Sequence, residues 1–104
     1  MEVNQIKMEL AQVEHVIDRA AQAVQDDDAS PQDLKDCVKE LDLQTRKARL
    51  SRDADDLLQY IDEMEETSDR AKIACERANE LGTEARTAVM QAHRRLSDLK
   101  YQLH

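Results

Sequence analysis

The sequence predicts an all-α fold, an antiparallel up-and-down four-helix bundle, and three observations carry that prediction. Apolar residues recur at alternating steps of three and four over most of the 104 residues, the period of one helix face. One glycine, one proline and no Phe or Trp leave too few of the turn and aromatic residues that sheets use. Cap and turn signals fall at three places, near residues 26–31, 51–53 and 82–83, and divide the chain into four segments of one expected domain, 1–104.

The first helix carries Val3, Ile6, Leu10, Val13, Ile17, Ala20 and Val24, an uninterrupted heptad stripe. Glu14 and His15 lie off it. Asp26, Asp27 and Asp28 would oppose the dipole at a helix C-terminus, so this helix is expected to end near Gln25. Ser30 is then expected to cap the second helix, with Pro31 at its first position, where a missing N–H costs nothing.

The second helix has the stripe Leu34, Val38, Leu41, Thr45 and Ala48. The third has Ala54, Leu57, Ile61, Met64, Ala71, Cys75 and Ala78, with Ser68 at the missing step. The two stripes are out of phase. At 100° per residue Leu43, Leu50, Leu57 and Ile61 fall within about 40° of one another and roughly opposite Leu41. Either a turn around Ser51–Asp53 resets the face, with Ser51 as cap and an acidic first turn, or one long central helix switches faces and the chain has three helices. Gly82 is expected to end the third helix in a left-handed conformation, and Thr83 to cap the fourth. The fourth helix carries Ala85, Val89, Ala92, Leu96, Leu99 and Leu103.

Charge favours four helices. The net charge is −5 over 1–30, +1 over 31–50, −6 over 51–81 and +2 over 82–104, giving −8 in all. In an up-and-down bundle each helix then touches two neighbours of opposite sign, and like signs sit on the diagonals.

The same composition narrows function. A net charge of −8 disfavours nucleic acid, and the basic cluster His93, Arg94, Arg95 and Lys100 lacks interleaved aromatics beyond Tyr101. No apolar run approaches the ~20 residues of a membrane span, and the N-terminus MEVNQIKMEL does not read as a secretory signal. A cytoplasmic setting is expected from two cysteines 38 positions apart, with no cofactor. Cys75 reads as a small core residue, and Cys37 lies one step off its stripe. Bundle metal sites use Glu-x-x-His steps, and the residues three before the histidines are Gln12, Met90 and Tyr101, so no metal is expected. One glycine excludes a phosphate loop, and no acid, base and nucleophile converge, so no enzyme is expected.

What remains is binding. In a four-helix bundle Leu43 and Leu50 point away from the core, seven apart and aligned, as the seam for a partner helix does. Ile73 stands among Asp69, Arg70, Glu76 and Arg77. The acidic runs Asp26, Asp27, Asp28 and Asp62, Glu63, Glu65, Glu66 form solvated faces on which a basic partner could dock. The expected function is a non-enzymatic helical protein–protein interaction module, a scaffold or adaptor that forms a homodimer. The alternative is an acidic chaperone or inhibitor that sequesters a basic protein.

Overall fold

The computed structural model describes residues 2–103. Four α-helices follow one another, α1 (Val3–Asp26), α2 (Gln32–Leu50), α3 (Ala54–Arg77) and α4 (Thr83–Leu103). Helix α1 packs on α2 and α4, and α3 packs on α2 and α4, so the four form a ring with α1/α3 and α2/α4 as diagonals. The bundle measures 41 × 21 × 18 Å. The expected charge alternation is therefore realised around the ring, although exposed ion pairs of this kind contribute only about 0–1 kcal/mol each.

The heptad stripes become the core. Ile6, Leu10, Val13, Ile17, Ala20 and Val24 of α1 are buried, as are Leu34, Val38, Leu41, Thr45 and Ala48 of α2. Leu57, Ile61, Met64, Ala71 and Cys75 of α3 meet Ala85, Val89, Ala92, Leu96 and Leu99 of α4 in the same cluster. Ser68 fills the missing step and turns its hydroxyl back onto the Glu65 carbonyl at 2.8 Å, so a polar group is buried without an unmet bond. Thr45 donates likewise to Leu41 O at 2.7 Å. The stripes do not mark Thr67, Ala74 and Ala88, which are also buried. Each lies beside its stripe, where a small side chain lets the adjacent helix close in.

The three-helix alternative is excluded, because the chain leaves the helix at Ser51 (φ −68°, ψ 138°) and α3 starts only at Ala54. The cap of α3 is Asp53 and not Ser51. The Asp53 carboxylate accepts from the Asp55 N–H at 3.2 Å, while the Ser51 hydroxyl donates forward to the Asp53 carbonyl.

Two other expected caps are also reassigned. Ser30 does not cap α2. Its hydroxyl donates to Val24 O at 2.8 Å and so satisfies the end of α1. Pro31 takes the half-in position before α2 (φ −66°, ψ 154°) and its carbonyl accepts from Lys35 N–H. Helix α3 ends at Arg77, four residues before Leu81, with Arg86 of α4 donating to Cys75 O at 3.0 Å and Ala78 O at 2.6 Å. Thr83 lies inside α4, whose first carbonyl acceptor is Gly82.

Gly82 has no positive φ, so left-handedness is not why glycine stands there. The reason is a close approach. Asp27, in the α1–α2 turn, accepts from Gly82 N–H through Oδ2 at 2.8 Å and from Ala29 N–H through Oδ1 at 2.9 Å. A Cβ on residue 82 would lie 2.8 Å from that same Oδ2. One carboxylate thus ties together the two loops at this end of the bundle. Gly82→Ala is expected to cost roughly 1–2 kcal/mol in thermal or denaturant unfolding. The cost should shrink when Asp27 is also replaced by Ala, and an undiminished cost in that background would mean the contact is not its source.

Candidate functional site

The outer ridge of α2 carries the clearest candidate surface. Leu43 and Leu50 lie about 180° around the helix from the buried stripe. They are 56% and 81% exposed, far more than core leucines such as Leu34 and Leu41. Helix α2 takes this face because Leu41 and Ala48 are drawn inward, which turns residues two positions on to the outside. Ile73 of α3 is exposed as well, and so are Met8 on α1 and Tyr101 on α4.

The acidic candidates divide into two groups that the fold keeps apart. Asp26, Asp27 and Asp28 lie at the end that holds the α1–α2 and α3–α4 loops. Asp62, Glu63, Glu65 and Glu66 lie in the middle of α3, roughly 16 Å of helix rise from its C-terminus. Several already have partners inside the chain. Asp27 holds the two loops, and Asp26 accepts from the Gln22 side-chain amide at 3.0 Å. Lys100 of α4 stands 3.3 Å from Glu65 and 3.8 Å from Asp62. Its ammonium is raised above the ordinary lysine value, chiefly by the hydrogen bond to Glu65. Asp28, Glu63 and Glu66 are exposed, and among the described residues they form no ion pair.

Other cross-helix polar contacts are structural in character. Arg49 of α2 meets Glu14 of α1 at 2.8 Å, Arg70 of α3 meets Glu40 of α2 at 3.2 Å, and Arg95 of α4 donates to Gln12 of α1 at 3.3 Å. His93, half-buried, sits 2.7 Å from Asp69 of α3. The sequence places His93 at the edge of its stripe but carries no sign of which carboxylate it meets. The pairing follows from the height at which α3 passes α4.

Two groups show what packing does to their chemistry. Burial pushes both thiols up, more than Arg70 near Cys37 or Arg86 near Cys75 pulls them down. Thiolate, the nucleophilic form, is thereby depleted at both positions. Asp18 of α1 is raised by partial burial first, and then by hydrogen bonding to and repulsion from Asp42 of α2. An acid raised in this way contributes stability while protonated, and that contribution is lost as pH rises through its folded value. Among the described residues no three His, Cys, Asp or Glu side chains gather as metal ligands would. No helix among them is long and apolar enough to cross a membrane. Comparison of the chain with protein families, with characterised proteins and with solved structures gave no match in any of the three.

Proposed function

We propose that this chain is a non-enzymatic helical interaction module, a scaffold or adaptor that associates with a second copy of itself through the outer ridge of α2. The observation that carries the reading is the exposure of Leu43 and Leu50 on one line of a helix whose other face is fully committed to the core. The monomer already closes its own core with all four helices, so these leucines are not spare core residues awaiting a missing element. Charge supports a second copy as the occupant. Residues 43–52 hold Arg46, Lys47, Arg49 and Arg52 and no acid, while the rest of the chain sums to −12. A copy of this protein therefore offers the opposite sign over most of its surface.

The sequestering alternative is less well supplied, since Asp26, Asp27, Asp62 and Glu65 have internal partners. Light scattering is the test. The wild type is expected to be a dimer at ~100 μM, and Leu43→Gln with Leu50→Gln, which removes the apolar seam without adding charge, is expected to give a monomer with unchanged circular dichroism. A monomeric wild type at that concentration overturns the reading. So does a double variant that still dimerises.

A further inference from the structure

Charge and apolar surface are distributed unevenly around the bundle, and the unevenness selects the side on which a second copy sits. Of the five large apolar side chains most exposed among the described residues, Leu43 and Leu50 are on α2 and Ile73 is on α3, two adjacent helices. Met8 and Tyr101 stand on the other two helices. Height along the bundle can be read from contacts between α2 and α3. Glu40 is level with Arg70 through their ion pair, and Lys47 and Leu50 line one cleft with Asp56 and Tyr60. Leu43 and Lys47 are thus level with Glu63 and Glu66.

Some charged groups of α2, of the turn after it and of α3 form no ion pair among the described residues. Arg46 is paired with Asp42 and Arg49 with Glu14, but Lys47 and Arg52 have no ion pair among the described residues. Glu63 and Glu66 also form no ion pair, although the charge of Glu66 acts on Lys100 of α4. One monomer therefore carries, on neighbouring helices at one height, an apolar ridge with unpaired cations and a ridge of unpaired carboxylates.

Symmetry decides how two such faces meet. A two-fold axis perpendicular to the helices and level with Leu43–Leu50 would lay α2 on α2 of the other copy and bring four cations from each chain together. A two-fold axis parallel to the bundle lays α2 of each copy on α3 of the other and leaves heights unchanged. Lys47 and Arg52 then face Glu63, Glu66 and the acidic start of α3, twice per dimer. The contact closes on itself, as an isologous interface must. A side face of the bundle measures 41 Å by 21 Å, so nearly all of it must be covered to reach the ~800 Å² per partner that stable dimers bury.

We infer that the homodimer forms through the combined α2–α3 face about a two-fold axis parallel to the bundle, each α2 ridge lying against the acidic α3 ridge of the other copy. This rests on the self-association proposed above and adds the surface that the second copy presents.

Two charge-reversed chains test it. One carries Lys47→Glu and Arg52→Glu and is acidic on both ridges. The other carries Glu63→Lys and Glu66→Lys and is basic on both. Each alone is expected to dimerise at least about tenfold more weakly than wild type, with unchanged circular dichroism. An equimolar mixture should restore dimers, because both contacts of the mixed pair are then complementary. All four changes in one chain should restore the homodimer as well. Sedimentation equilibrium or light scattering reads all of these. A wild-type dimer whose reversed chains self-associate undiminished, or whose mixture fails to pair, overturns the α2–α3 arrangement and leaves self-association standing. A monomeric wild type overturns both.

Discussion

Leu10→Ala is expected to destabilise the bundle by roughly 2–5 kcal/mol, among the largest effects of any conservative substitution in this chain. Leu10 is fully buried on α1, the helix with the longest uninterrupted apolar stripe, whose neighbours α2 and α4 close on it from both sides. Truncation removes three carbons from a packed site, and the surrounding helices relax only partly into the space. For a chain of about 100 residues each kcal/mol corresponds to roughly 4–8 °C in Tm. His15→Ala is the control. His15 is exposed on the same helix, and its replacement should cost under about 0.5 kcal/mol. Glu14, although off the stripe, is a poorer control, because it is half-buried against Arg49. Thermal unfolding that moved equally for the Leu10 and His15 variants would mean that α1 presents a different face to the core.

Arg86→Ala is expected to cost about 2 kcal/mol, an unusual amount for a partly exposed cation. The guanidinium donates from Nη1 to Cys75 O and from Nη2 to Ala78 O, two carbonyls at the exit of α3 whose backbone donors are Ala78 N–H at 3.2 Å and Leu81 N–H at 3.5 Å. Charge-assisted bonds of this kind contribute roughly 1.5–3 kcal/mol, and the positive charge also suits the negative end of the α3 dipole. Arg86→Lys should recover only a fraction, because one ammonium does not reproduce the planar fork that spans both carbonyls. Denaturant unfolding checks both variants. Full recovery by lysine would show that charge alone is at work. An alanine variant within about 0.5 kcal/mol of wild type would show that the bridge to α3 contributes little.

The helices and their inward faces are legible in the residues alone. Every interior position that the periodicity marks from Ile6 to Val24 is buried, and so is every one from Leu34 to Ala48. A heptad pattern encodes a direction, and in a bundle only one direction per helix meets the core. The same arithmetic marks Leu43 and Leu50 as outward, since they lie about half a turn from Leu41 and Ala48. The alternation of net charge along the four segments is enough to favour a ring of four over a long central helix.

The ends of the helices are less legible, and for a common reason. Ser30, Ser51, Gly82 and Thr83 each have a local role available, and the residues nearby in the chain point to that role. Ser30 and Gly82 are instead placed by what lies across the turn or the loop pair, and Ser51 yields the cap to Asp53. Ser30 reaches back six residues to Val24, and Gly82 is held by Asp27 from 55 positions away. Arg86 ends α3 from the following helix. A cap is a competition among nearby acceptors and donors, and sequence alone shows only those close along the chain. Thr67, Ala74 and Ala88 belong to the same class. Their burial depends on how closely a second helix approaches, which no single-helix pattern contains.

Which faces are apolar and the sign of the charge on each segment follow from the residues alone, because these are periodic or additive local properties, whereas four helices and not three follow from the break at Ser51–Asp53. Only the tertiary structure decided which carboxylates are spent internally, as Asp27 and Glu65 are, and which remain on the surface, as Glu63 and Glu66 do. That division depends on the relative height of antiparallel neighbours, set by loop length and core packing together. It is also what places Lys47 level with Glu63 and Glu66, none of which forms an ion pair among the described residues.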